Sequence, residues 1–243
     1  MVPRPPDACI LVFVANLIAE VVPVGPRIFG FDCLSKLTAD LCRVFQGFGC
    51  AFAMRYVDLA VGVTPLTLDV DEVDAICRPD FSLRVCQFAR SSGWSLATGR
   101  NDGVACVRNM MALALPLEAG AVCDLEGSFA SKGQCIDYAG AWWEAATSEG
   151  LDRDATEVYV GAGVPLNGEE LEDDLAFRGY MQSGSEVPDV ARRGYRVRQV
   201  RPLDLTVAGI RVDWNVLQTD YKGSRPRWIR TVAGAVALGM AAT

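Results

Sequence analysis

The chain contains no histidine among its 243 residues. That absence removes Ser-His and Cys-His nucleophile pairs, most catalytic zinc sites and the commonest general base near neutral pH. Acid-base chemistry is left to carboxylates, tyrosine, lysine or cysteine. CxxC pairs are missing too. The nine cysteines, at 9, 33, 42, 50, 77, 86, 106, 123 and 135, are odd in number and end at residue 135. This supports no zinc or redox motif and reads as buried, reduced thiols packed as small hydrophobes, with Cys33, Cys50 and Cys123 facing a helix layer. Basic charge is short: a formal charge of −7 and a pI near 4.7 argue against a nucleic-acid partner. Long apolar runs are also lacking. The stretch 8–19 is too short to span a bilayer and follows a lead with one Arg against one Asp, so it reads as an added strand or helix rather than a signal peptide or a membrane span. The first βα turn carries neither GxGxxG nor a Walker pattern, so no nucleotide cofactor is expected.

What is present suits a large core. Hydrophobic residues make up 51% of the chain, charged residues 22%, and the mean hydropathy is +0.19. Short apolar runs at 28–32, 50–56, 82–89, 119–126, 157–161, 177–182, 195–200 and 210–216 read as strands. Between the earlier ones lie stretches with helical spacing at 34–47, with Ser35 available as its cap, and at 67–76, 103–115 and 134–148; the acidic cluster 169–174 reads as a solvated helix face. Eight strands alternating with helices predict an α/β fold, a parallel (β/α)8 barrel of TIM type whose later helices are short or missing. An open doubly wound sheet is the alternative. The expected organisation is an apolar N-terminal extension over 1–27, a barrel over 28–224 and a small apolar tail or helix over 225–243. The uncharged stretch 231–243 would close the barrel bottom or dock on a partner subunit.

In such a barrel the C-terminal strand ends form the site. If 119–126 is a strand, Asp124 and Glu126 emerge on one side at its end. Asp32, Arg55 and Asp213 end three other strands, with Gln87, Gln182, Gln199 and Asn215 as neighbours. Tyr56, Tyr180 and Trp214 are candidate flat surfaces for sugar rings. Carboxylates crowded together raise one another's pKa, so one acid stays protonated. Glycoside hydrolysis needs that condition, one carboxyl as proton donor and another as base or nucleophile. Carboxylates also hold calcium or magnesium, but no metal and no cofactor are expected here.

Gly30-Phe31-Asp32, Arg55-Tyr56, Asp124-Leu125-Glu126 and Val212-Asp213-Trp214-Asn215 together resemble the glycoside-hydrolase-like barrels related to family 25 lysozymes, and the DUF1906 (Rv2525c-like) group in particular. The resemblance spans about residues 28–217. It implies Glu126 as the acid, Asp124 as its electrostatic partner or the stabiliser of the cleaved intermediate, and Asp32 and Asp213 as groups that position substrate and tune charge. The implied activity is that of a muramidase-like glycosidase on bacterial peptidoglycan glycan, acting at the cell wall. The alternative is a barrel that touches glycan without cutting it, a structural component of a phage particle or similar assembly with other subunits as partners. Outside such an assembly that reading leaves the chain cytoplasmic.

Overall fold

The structure is a computed structural model that describes residues 17–23, 27–78, 81–185 and 189–231. Ten strands form one sheet: β1 (Leu17–Val21), β2 (Ile28–Asp32), β3 (Cys50–Val57), β4 (Ser82–Gln87), β5 (Val122–Asp124), β6 (Glu157–Val160), β7 (Gly179–Gln182), β8 (Val197–Val207), β9 (Ile210–Leu217) and β10 (Arg227–Thr231). Eight of them, β2 to β9, close on themselves, because the order β4-β3-β2-β9-β8-β7-β6-β5 is completed by a β4–β5 pairing. The result is a TIM-type barrel with few helices.

The barrel is not wholly parallel. β9 runs antiparallel to both β8 and β2. The cause is local: Ala208 and Gly209 lie between the two strands, both with positive φ, and a two-residue turn can join only antiparallel neighbours. β10 lies outside the closed ring. It pairs antiparallel with β1 along its length and with β4 at Leu83. Most of the apolar stretches 8–19 and 231–243 lies outside the described residues.

Capping chemistry places the helices. α1 (Ala39–Gly47) starts at Thr38, whose side chain accepts from Leu41 N, so the cap is Thr38 and not Ser35. α2 (Val70–Cys77) starts at Asp69. α3 (Leu96–Ala112) and α4 (Lys132–Ser148) each open with a capping box, Ser95 with Thr98 and Ser131 with Gln134. α3 therefore begins earlier than its apolar pattern predicts. Two glycines within it explain the weak pattern: a Cβ on Gly99 would stand 2.3 Å from Tyr138 O, and one on Gly103 2.4 Å from Trp142 O. Bare backbone there lets α3 lie directly on α4. The acidic cluster forms the short α5 (Gly168–Asp173) under an Asn167 cap.

Strand alternation divides the apolar residues into two sets. Phe52, Met54, Tyr56, Cys86, Val122, Tyr159, Met181 and Val197 form an inner cluster along the barrel axis. The alternate residues, among them Ala53, Val85, Cys123 and Val160, pack with the helices in a larger outer cluster. Cys33, Cys50 and Cys123 belong to that outer set, while Cys86 faces the axis. All eight described cysteines are free and buried. Burial pushes thiols such as Cys33 and Cys106 up to about 12, which keeps them protonated and unreactive.

Candidate functional site

The four acids singled out by strand ends share one neighbourhood. Asp32, the last residue of β2, is paired with Asp213 in the β2–β9 ladder. Asp213 reaches the mouth because it sits in the first half of a reversed strand. Asp124 ends β5, and there the strand stops: Glu126 lies in the following turn, its backbone N–H donating to Asp124 Oδ1 at 2.8 Å. The carboxylate of Asp124 feels those of Glu126 and Asp32, and that of Asp213 feels Glu126.

A hydrogen-bond chain ties the acids together. Asp32 accepts from Tyr56 Oη at 3.1 Å, Gln199 Nε2 at 2.8 Å and Asn215 Nδ2 at 2.7 Å. Gln199 Oε1 in turn accepts from Gly184 N at 2.9 Å. Ser183, just past β7, donates to Glu126 Oε1 at 2.6 Å, and Ser185 approaches the same oxygen at 3.3 Å. Asp213 Oδ1 accepts from Asp204 N at 2.5 Å. A cavity of about 450 Å³ opens beside Asp32, Tyr56 and Asp213, walled by Asp204 and Gly209 to Val212 of the β8–β9 hairpin and by Leu34 and Ser35.

Tyr159, Ser183 and Ser185 were not among the residues expected at the mouth. Tyr159 is buried on β6, where its phenol feels Asp32, Glu126 and Asp124 and hydrogen-bonds with Ser183. Its signal was a lone hydroxyl-bearing residue between Val158 and Val160, at the parity that faces the axis. The serines lay within three residues of a strand end that had been located.

Five expected residues sit elsewhere. Arg55 is buried against α2, bidentate to Glu72 with Nε to Oε1 at 2.7 Å and Nη2 to Oε2 at 3.3 Å. Its misplacement has a specific cause: Phe29 pairs with Cys50 but Gly30 with Phe52, so Ala51 is a bulge that shifts the parity of β3. Gln87 faces the helices, donating to Asp58 O and Asp102 O and accepting from Trp142 Nε1 at 2.5 Å. Tyr180 donates to Leu171 O at 2.6 Å. Trp214 packs edge-on to Phe31 and Phe45. Gln182 is in the outward register next to inward Met181. In each of the last four cases a neighbour faces the axis, and period-two alternation sends the residue the other way.

The acids are held high by burial. Asp32 is only 6% exposed and Asp124 8%. Burial lifts Asp32 to about 6 against the hydrogen bonds from Asn215, Gln199 and Tyr56, with Asp213 adding to the rise. Burial also drives Asp124 well above the carboxylate range, opposed by the Glu126 N–H and aided by the Glu126 and Asp32 charges. Asp213 is raised as well, by burial first and then by the charges of Asp204 and Glu126. Burial, with the same carboxylates, keeps Tyr56 and Tyr159 protonated, so both phenols are donors.

A pH dependence of stability follows. Between the unfolded value of 3.8 and the folded value of about 6, native Asp32 holds a proton that the unfolded chain has released. Stability therefore falls as pH rises across that window and levels off above it, by about 3 kcal/mol for a shift of this size. Urea unfolding at pH 4.5 and 7 is expected to resolve the loss, and Asp32→Asn to reduce its slope.

Gly161 is required by the position of Glu126: a Cβ there would lie 2.3 Å from Glu126 Oε1. Gly161→Ala is expected to leave stability within about 1 kcal/mol, because only the tip of a side chain must move. Glu126 loses its contact with Ser183, and any reaction that uses its carboxyl is expected to slow at least tenfold. A rate equal to wild type would show that the Glu126 position is unimportant.

No protein-family model and no curated protein matches the chain. Among solved structures, the fold is related to that of the family 25 glycoside hydrolases and of Rv2525c-like proteins. It is similar to the Tat-secreted protein Rv2525c of Mycobacterium tuberculosis, with a TM-score of 0.60, 17% identity, and coverage of 78% of this chain and 95% of that one. A muramidase from Acremonium alcalophilum aligns with a TM-score of 0.53 and 13% identity over 81% of this chain and 96% of that one. A family 25 glycosyl hydrolase from Bacillus anthracis aligns at 0.50 and 12% over 80% and 90%.

Proposed function

We propose that the protein is a muramidase-like glycosidase that hydrolyses bacterial peptidoglycan glycan at the cell wall, on a barrel of the DUF1906, Rv2525c-like kind. The observation that carries the reading is the acid cluster itself. Asp32, Asp124, Glu126 and Asp213 meet at one end of the barrel, Asp32 and Asp213 line a cavity there, and burial lifts the carboxyl of Asp32 to about 6 and that of Asp124 well above the carboxylate range. Folding gains nothing from crowding buried carboxylates, whereas glycosidic cleavage needs a stored proton and a nearby negative charge.

In this reading Glu126, the more accessible of the Asp124–Glu126 pair, gives its proton to the leaving glycosidic oxygen. Asp124 and Asp32 balance the positive charge that develops at the anomeric carbon, and water supplies the hydroxyl that completes hydrolysis. Asp213 and the phenols of Tyr56 and Tyr159 orient the sugar. The likeness of fold to an Acremonium muramidase and a Bacillus family 25 hydrolase supports the substrate class.

The test is release of new reducing ends from purified peptidoglycan by the wild-type protein and by Glu126→Gln. A second reading has one observation in its favour: Asp124 is more than nine-tenths buried, and Glu126 Oε1 already accepts serine hydroxyls. In that reading the barrel binds glycan within a larger assembly without cutting it. Glycan binding without release of reducing ends by the wild-type protein would select it.

A further inference from the structure

The outer wall of the barrel from β7 to β9 lacks the helix that covers such a wall elsewhere. Among the described residues of the β7–β8 connection there is no helix, and β8 and β9 form a hairpin. Gln182, Arg198 and Val216 are successive cross-strand partners, so their side chains form one row on this bare face. Together with Arg27 and Arg201 they line a cleft of about 310 Å³. The same cleft reaches Ser183, Ser185 and Gln199, the residues that hold Glu126 and Asp32, so it adjoins the rim of the acid mouth.

Two features of this cleft have no structural explanation. In a chain of charge −7, Arg27 and Arg198 have no carboxylate partner among the described residues, and Arg201 donates only to Gly184 O at 2.9 Å. Gln182 is 7% exposed, lines the cleft, and its Oε1 is buried without a hydrogen-bond partner. An unsatisfied buried acceptor is costly. It calls for a donor from outside, while the arginines call for an anion.

We propose that this cleft binds a carboxylate carried on a group with its own N–H or O–H donor, the chemistry of the lactyl and peptide substituents of an acidic amino-sugar chain. The inference rests on the glycosidase reading, in that the bound branch belongs to the glycan whose backbone lies at the acids. It also gives that site an orientation. Carboxylates at the mouth repel an acidic branch and the adjoining arginines attract it, so a glycan settles with its uncharged ring over Glu126 and its acidic branch over Arg198.

The experiment is a calorimetric titration of the Glu126→Gln protein with N-acetylmuramyl dipeptide, its carboxyl-amidated analogue, and inorganic phosphate. The free-acid fragment is expected to bind at least tenfold more tightly than the amidated one. Arg27→Gln and Arg198→Gln, both at exposed positions and expected to fold as the parent does, should each weaken it several-fold, and together abolish the preference for the free acid. Phosphate, whose P–OH groups sit on the anion itself rather than on a neighbouring amide, should compete weakly. Equal binding of free and amidated fragments, or arginine variants that bind like the parent, would overturn the proposal. Phosphate competing as strongly as the fragment would overturn the donor-bearing carboxylate in favour of a bare anion site. Because the titrated protein cuts nothing, absence of hydrolysis by the wild-type protein would refute the glycosidase reading alone and leave this binding result to stand or fall separately.

Discussion

Glu126→Gln is expected to lower the release of reducing ends from peptidoglycan by about 10²- to 10⁴-fold, the range over which a positioned general acid contributes. The amide has the shape of the carboxyl and keeps an oxygen for the Ser183 hydroxyl, now 2.6 Å from Glu126 Oε1. The fold and glycan binding should therefore survive while the proton to be donated is gone. Asp124→Asn is the informative companion. Burial drives the Asp124 carboxyl well above the carboxylate range, which favours the neutral form, so the amide mimics that form and should fold at least as well. If Asp124 ionises as positive charge develops on the sugar, the variant loses activity at unchanged stability. If it stays neutral throughout, the variant keeps wild-type turnover. The rate profile carries a further mark of the cluster. Turnover should rise as pH passes through the region near 6 where Asp32 gives up its proton and gains the charge that balances the developing cation, and the apparent midpoint belongs to the coupled acids rather than to one of them.

The largest effect on stability is expected at a pair that does no chemistry. Arg55 and Glu72 are both fully buried, joined by two hydrogen bonds, and Glu72 Oε1 also accepts from Leu37 N at 2.8 Å. Glu72→Ala strands the Arg55 guanidinium in the outer core and should cost about 3–5 kcal/mol. Replacing both partners, Arg55→Met with Glu72→Leu, removes the uncompensated charge and should recover part of that loss. Recovery will be incomplete, because Arg55 also donates to Cys33 O and Leu66 O. Urea midpoints for Arg55→Met, Glu72→Leu and the double variant give the coupling directly. The same variants test whether Arg55 touches substrate: glycan binding by the folded fraction should be unaffected.

Much of this architecture is legible in the amino-acid sequence. The apolar runs located all eight barrel strands, because a buried strand needs a short run of apolar residues bounded by turn formers. The run read as 195–200 was cut short, since β8 continues to Val207 in the half-exposed hairpin above the barrel, where the pattern fades. The acids were legible as strand-end residues. Their partners were less so. Tyr159 and Ser183 reach the acids only across long stretches of chain, 57 positions in the case of Ser183 and Glu126, and no local spacing records such a contact.

The order of strands and helices, the identity of the acids and the absence of imidazole chemistry were determined by the chain itself, since each depends on composition or on the short-range period of apolar residues. Which side chains face the axis was decided by the tertiary structure. One bulge at Ala51 turned Arg55 away from the mouth, and one tight turn at Ala208-Gly209 reversed β9 and brought Asp213 beside Asp32. The physical reason is that a strand has only two faces, so a single inserted residue or a reversal of direction reassigns every side chain that follows.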